Sequence, residues 1–314
     1  MKSRLIVNPV SGTDEAPEQL RVINERLRAG VGEMDIVMTV AQGDAARAAS
    51  EAVGAGYEQL FVAGGDGTLN EALNGVAGVP GALESVVFGL IPLGTGNDFA
   101  RALGIPESVE EAVDVLLEGR EVRVDVGALG ERRFVNVSAG GFIAEVSDAV
   151  DPALKSLAGK LAYLIGGAQV LFDYEPPHAR VRARGIGDDG AGAFEREMQV
   201  QMFAACNSRM VGGGRPIAPD ALIDDGLLDL CIVEAMPTLE FIGLLTSIAS
   251  GEHVEDERVI YLRAREVEID FDRAVKVNTD GEVLETDRCR YRVEARAARF
   301  LAGDAPYTTQ GESS

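Results

Sequence analysis

Four short apolar runs, "RLIVN", "DIVMTV", "LFVAGG" and "VVFGLIP", alternate with helical stretches at Glu15 to Ala29, Asp44 to Val53 and Leu69 to Val76 over the first third of the chain. Parallel strands need a crossover between them and a helix supplies it, so this order predicts a parallel sheet covered by helices. Each run ends in a polar or glycine-rich turn: "NPVSG", "TVAQGD", "GGDGT" and "PLGTGN". In open α/β sheets the carboxyl ends of the strands line the ligand crevice, so these four loops are expected to converge.

From about Glu121 the texture changes to alternating segments such as "EVRVDVGAL", "RFVNVSAG", "ARVRARG", "EMQVQMFAA", "LLDLCIV" and "EVEIDF", with helical stretches near 156–172 and 238–250. The pattern predicts a second, antiparallel β-rich domain. A boundary follows, with an α/β domain over 1–122 and a β domain over 123–295. "GIGDDGAG", residues 185–192, reads as a hairpin tip, and a short polar tail follows Pro306.

With 314 residues, 46% of them hydrophobic, the chain can bury a sizeable core in two domains. Its net charge of −22 argues against nucleic acid, whose phosphates need a cationic footprint. Only 4 of the 29 cations are lysine, a bias that either a salt-rich cytoplasm or a GC-rich genome produces. Cys206, Cys231 and Cys289 are widely spaced, lack the close pairs of structural zinc, and read as buried reduced thiols. "MKSRLIVNPVSG" has no signal-peptide character, which predicts a cytoplasmic protein. "LAYLIGGAQVLF" is shorter than the roughly 20 residues of a spanning helix.

"GGDGT" is neither a Walker A loop nor a dinucleotide fingerprint. Gly64, Gly65 and Gly67 permit close backbone approach, and a helix beginning at Thr68 would aim free N–H groups at an anion. Asp66 complicates that reading, because a carboxylate beside phosphates needs a cation between them. Magnesium is the natural mediator, and the alternative is Asp66 as a helix cap. "PLGTGNDFAR" repeats the arrangement, with Gly94, Thr95 and Gly96 followed by Asn97 and Asp98 at a second helix start.

In the order "NPVSG", "GGDGTLNE", "PLGTGNDFAR", "ALIDDGLLDL" and "NTDGE", from Asn8 to Glu282, the chain resembles the bacterial diacylglycerol kinase family of lipid kinases. "GGDGT" alone is shared with NAD kinases; the combination with "GTGNDFAR" and a late "DGE" singles out the lipid kinases. The resemblance implies a Rossmann-like α/β nucleotide domain, a C-terminal β-sandwich, and a tail over about 296–314 that returns to the first domain. A catalytic cleft would lie between the domains.

Carried over by resemblance, ATP contacts fall on Asn8, Pro9, Ser11 and Gly12, on Thr39, on Gly64, Gly65, Asp66, Gly67, Thr68, Asn70 and Glu71, and on Gly94, Thr95, Asn97 and Asp98. A structural magnesium is implied at the Asp225 side chain with Leu222 and Leu227, mainly through their backbone carbonyls. From the residues alone that segment is a turn entering a strand, with Asp229 facing solvent. The family assigns the general base to "DGE". Glu282 is the expected proton acceptor with Asp280 orienting it or the metal, and the reverse assignment stays open. Asp66 would join them near the nucleotide and its magnesium.

His178 and His253 lack partner spacing for a metal site or triad and read as surface residues. Ser138 lacks the glycine of a nucleophile elbow. Asn207 is expected near the lipid headgroup, with Arg209 and Arg215 available to phosphate. The expected function is ATP- and magnesium-dependent phosphorylation of a lipid hydroxyl, diacylglycerol first, with transient membrane contact. An NAD kinase and a non-catalytic nucleotide- or lipid-binding regulator are the alternatives. Oligomeric state, a homodimer included, stays open.

Overall fold

The computed structural model describes residues 2–9, 16–149, 174–187, 190–304 and 307–309. The first layer is a parallel sheet. β1 (Ser3–Val7) lies between β2 (Met34–Met38) and β3 (Gln59–Gly64), and β4 (Val87–Pro92) pairs with β3 on its other side. β3 and β4 are buried along their whole length, which is why they read as unbroken apolar runs.

The crossovers are α1 (Ala16–Val31), α2 (Asp44–Gly54) and α3 (Asp66–Ala77), followed by α4 (Ala82–Ser85), α5 (Asp98–Ala102) and α6 (Val109–Glu118). In α2, Ala45, Ala48, Ala49 and Ala52 form the buried stripe. Their small size lets α3 come close. A Cβ on Gly75 would stand 2.1 Å from the Ala46 carbonyl oxygen, so only glycine fits there.

The second layer begins with β5 (Glu121–Leu129), β6 (Arg132–Phe134), β7 (Val137–Gly141) and α7 (Phe142–Ala149). It continues through β8 (His178–Ile186), β9 (Gly192–Cys206), β10 (Met210–Val211), β11 (Arg215–Pro216) and β12 (Leu228–Glu234). α8 (Thr238–Ser247), β13 (Val259–Ala264), β14 (Glu266–Thr279) and β15 (Glu282–Leu301) complete it. β9 and β14 each pair with β8 along one half and with β7 along the other. Two long bent strands shared in this way build a β-sandwich. Val181, Phe203, Leu230 and Ile269 fill its interior, while Met202 and Cys231 on the outer face pack in one cluster with Phe142 of α7 and Phe241 of α8.

β15 joins the layers. Its start pairs antiparallel with β14, and its end runs parallel to β4 through Arg299↔Val87 and Phe300↔Phe88, with the two Phe rings stacked 5.1 Å apart. The expected architecture, an α/β domain followed by a β-sandwich, is therefore present.

The hairpin predicted at 185–192 joins β8 to β9, and all three cysteines are buried and free. The helical stretch predicted near 156–172 lies outside the described residues. Two expectations are corrected. Asp229 is fully buried, because its face of β12, shared with Cys231 and Val233, is covered by Phe241, Ile217 and Ala221, and its carboxylate accepts from the Tyr261 hydroxyl at 2.5 Å. His253 is 1% exposed, because the 3₁₀ turn Glu252–Glu255 folds inward and places Nε2 3.0 Å from the Ile217 carbonyl oxygen.

Candidate functional site

A cleft of about 400 Å³ opens at the carboxyl ends of the parallel strands. It is lined by Asn8 after β1, Thr39 to Gln42 after β2, Gly65, Gly67, Thr68 and Glu71 after β3, and by Asp280 to Glu282 from the β14–β15 turn. The fourth loop converges differently, packing backbone to backbone behind the third. A Cβ on Gly94 would lie 2.6 Å from the Gly65 Cα, so the two loops meet only because both are glycine.

α3 begins at Asp66 rather than at Thr68, with Gly65 extended as its N-cap. Asp66 is thus the first residue inside the helix, and its carboxylate turns away from the helix it starts. Asp66 Oδ2 accepts from the Asp98 N–H and Oδ1 from the Phe99 N–H, both at 3.1 Å, so it caps α5 in the fourth loop. Asn136 Nδ2 adds a third donor at 3.3 Å. Burial pushes the Asp66 pKa up, opposed by those hydrogen bonds.

The remaining expected nucleotide contacts divide clearly. Asn8 Nδ2 donates to Thr68 Oγ1 at 3.1 Å at the cleft wall, and the Thr39 N–H donates to the Val7 carbonyl at 2.8 Å. Glu71 Oε2 accepts from the Ala45 N–H at 3.3 Å. Asn70 is turned inward, 1% exposed, and its side-chain oxygen accepts from Asn74 at 2.9 Å. Asn97, at φ 51°, bonds back to Gly94 and closes its own loop. Asp98 is 5% exposed and accepts the Gly213 and Gly214 N–H groups at 3.0 and 2.8 Å, tying the fourth loop to the second layer. Gly64 ends β3 and is buried, Pro9 is half-buried, and Thr95 is exposed beside the loop. Ser11 and Gly12 lie outside the described residues.

Asp280 and Glu282 differ sharply. Asp280 is 8% exposed, holds a left-handed φ of 45°, and accepts the Val135, Asn136 and Val137 N–H groups at 2.8, 3.1 and 2.8 Å. Burial pushes its pKa up to about 6 against those three donors. Glu282 stands at the cleft edge, half-buried, with Arg132 of β6 paired to its carboxylate.

The "DDG" loop lies in a separate hollow of about 570 Å³, lined by Leu222, Asp224 to Leu227, Arg263, Arg265, Ala295, Arg296 and Thr309. Asp225 Oδ1 accepts from the Leu227 N–H at 2.9 Å, and Oδ2 is 3.5 Å from Arg263. Asp125 backs the loop, accepting from Gly226 and Arg296, and burial pushes its pKa up to about 6. Among the described residues no group of three His, Cys, Asp or Glu side chains is placed to hold a metal. Asn207, expected near the lipid headgroup, is fully buried and donates to the Asp125 and Val135 carbonyls, both at 3.0 Å. Arg215 is exposed, and Arg209 donates to the Ala221 carbonyl at 2.8 Å.

Three residues central to this geometry carry no motif. Asn136 touches Asp66 and Asp280, Asn74 exchanges hydrogen bonds with the Arg133 backbone, and Arg132 pairs with Glu282. Their only signal is a polar residue inside or beside an apolar element, as Asn136 stands in "FVNVSAG".

Residues 2–129 match the model of the diacylglycerol kinase catalytic domain, and residues 136–302 match that of the YegS C-terminal NAD kinase beta sandwich-like domain. The chain is 37% identical over 281 residues to a diacylglycerol kinase of Staphylococcus carnosus (strain TM300), covering 90% of this chain and 88% of that one. It is 34% identical over 282 residues to a diacylglycerol kinase of Bacillus subtilis (strain 168), covering 90% and 89%. A crystal structure of a diacylglycerol kinase from Bacillus anthracis str. Sterne superposes with a TM-score of 0.76 at 26% identity, covering 96% of this chain and 97% of that one. Sequence, fold and the converging glycine loops agree: the chain belongs to the diacylglycerol kinase family of lipid kinases.

Proposed function

We propose that the chain transfers the γ-phosphoryl group of ATP to the free hydroxyl of diacylglycerol, giving phosphatidate, with magnesium required. One observation carries this reading: the glycine loop after β3 and the Asp280–Glu282 turn, from opposite ends of the sequence, line one cleft. The first N–H groups of α3 have no intrahelical partner, and the helix dipole favours anions, so this end receives a triphosphate without a lysine. Thr39, Gln42 and Glu71 line the same space, where the nucleoside would lie.

Glu282 is the proton acceptor in this scheme. As the acceptor oxygen bonds to the γ-phosphorus, the bond from that phosphorus to the bridging oxygen breaks, ADP leaves with the electron pair, and the hydroxyl proton passes to a Glu282 oxygen. Asp280 has both oxygens committed to backbone donors, so its part is to hold the start of β7 against the cleft. Asp66 acts by fixing the fourth loop. Magnesium would supply charge neutralisation on the transferring phosphates. A second magnesium would be held at the "DDG" loop by the Asp225 carboxylate and the Leu222 and Leu227 carbonyls, hard oxygen donors of the kind this cation takes.

No helix among the described residues is long and apolar enough to cross a membrane. In this reading the lipid substrate is met by peripheral contact from the cytoplasm. The test is label transfer from ATP, with magnesium, to diacylglycerol, sphingosine, ceramide, undecaprenol and NAD. Diacylglycerol should be labelled, and Glu282→Gln should lower kcat by about 100-fold or more with KM for ATP little changed. Transfer to NAD alone would identify an NAD kinase. Transfer to no acceptor would leave a binding regulator.

A further inference from the structure

Two of the most protruding apolar side chains of the second layer sit on one helix. Leu239 is 81% exposed and Ile242 42% exposed, both on α8. With Gly243 and Thr246, also exposed, they follow the i, i+3, i+4, i+7 spacing of a single face. The opposite face is anchored, with Phe241 and Leu244 buried and the Phe241 ring 5.2 Å edge-on from Phe142. Phe142 begins α7 directly after β7, the strand whose first residue donates to Asp280. The exposed face is thus carried on the elements that hold the cleft.

We infer that the Leu239, Ile242, Gly243 and Thr246 face of α8 is the surface by which the protein docks on a lipid bilayer to reach its acceptor. The inference rests on the lipid kinase reading above and adds the place of contact.

Charge supports that occupant. In a chain of net charge −22 the face itself carries none, and Glu240 beside it is paired with Arg258. An uncharged aliphatic face on an acidic protein suits neutral lipid, where repulsion is least. Area argues against a second copy. A helix of 10 residues is about 15 Å long and 10 Å wide, or about 150 Å² in outline, well short of the about 800 Å² per partner of a stable interface. A patch of that size suits shallow, reversible insertion rather than permanent anchoring.

The test is flotation of the full chain with phosphatidylcholine vesicles containing diacylglycerol, comparing wild type, Leu239→Ser/Ile242→Ser and Leu117→Ser. Leu117, 37% exposed on α6, controls for loss of an apolar group elsewhere. The double variant should bind about tenfold more weakly, a change of about 1.4 kcal/mol, and Leu117→Ser should stay within about twofold of wild type. Replacing phosphatidylcholine by phosphatidylglycerol should weaken wild-type binding. On a water-dispersed short-chain diacylglycerol the double variant should keep wild-type kcat. Should the double variant not fold, Leu239→Ser alone carries the comparison.

Equal vesicle binding by wild type and variant overturns the docking surface. So does no vesicle binding at all, or a loss of self-association in light scattering with vesicle binding intact. A wild type that floats through α8 yet phosphorylates no diacylglycerol leaves the docking surface standing and removes the activity reading.

Discussion

Asn136 Nδ2 lies 3.3 Å from Asp66 Oδ1, so a residue between two strands of the second layer completes the carboxylate of the glycine loop in the first. Its backbone N–H meets Asp280 at the same time. A single asparagine therefore sets the spacing between the two acidic motifs. Asn136→Ala removes one donor to a charged acceptor, a bond of about 1.5–3 kcal/mol, and leaves the backbone bonds in place. Steady-state kinetics should show kcat lowered by about 10- to 100-fold. Asn74→Ala, which cuts a contact between the layers without touching either carboxylate, should lower the melting temperature and leave kcat within about twofold. Similar kcat losses in both variants would show that Asn136 serves only to dock the domains.

The buried Asp280 predicts an unusual pH dependence. Its folded pKa of about 6 stands above the ordinary 3.8, so between those values the folded form holds the proton more tightly than the unfolded chain. The stabilising contribution is complete below about pH 4 and is lost as pH rises through about 6. At pH 7 the ionised group costs on the order of 2–3 kcal/mol. Urea unfolding from pH 4.5 to 7 should show Asp280→Asn lacking that part of the wild-type slope. Identical slopes in both proteins would place Asp280 in a solvated environment.

The meeting of Gly65 and Gly94 predicts a steric block. A methyl group on Gly94 would stand 2.6 Å from the Gly65 Cα and 2.9 Å from Asn97 Oδ1, closer than real Cβ contacts come. Both neighbours are fixed, one as backbone and one by its bonds to Gly94 itself. Gly94→Ala should separate the third and fourth loops, weaken ATP binding by about tenfold or more in calorimetric titration, and destabilise the protein by about 1–3 kcal/mol. Gly54→Ala, at the end of α2 with open space around it and outside the cleft lining, should bind ATP within about threefold of wild type. Unchanged ATP affinity in Gly94→Ala would mean that the two loops act independently.

What the sequence disclosed follows physical range. The parallel layer was legible because β3 and β4 are buried on both faces and cannot tolerate a charge. The glycine loops were legible because tight turns and close approach demand glycine at fixed positions. Which way Asp66 points was not legible. The choice between its own helix and α5 depends on where the fourth loop lands, a contact set by tertiary packing. Asp229 failed for the same reason: strand alternation assigns a face, and only the packing of Phe241, Ile217 and Ala221 against Cys231 and Val233 shows that this face of β12 is covered. Asn136, Asn74 and Arg132 were invisible because each works through a backbone group or a single partner far away in the chain.

The "DDG" loop predicts a metal dependence of stability separate from that of activity. Asp225, 10% exposed along its side chain, faces Arg263 at 3.5 Å, and Asp125 and Asp224 raise the local density of negative charge. A divalent cation held there would offset that repulsion and stabilise the folded state in proportion to its occupancy. Adding a chelator to metal-loaded protein should lower the melting temperature by several degrees, since about 1 kcal/mol moves a domain of this size by roughly 2–4 °C. Asp225→Ala should melt at the chelated wild-type temperature and show little further response to magnesium. Glu282→Gln, whose side chain lines the other cleft, should keep the full wild-type response to the chelator. A chelator shift that survives in Asp225→Ala would move the stabilising cation to another place in the fold.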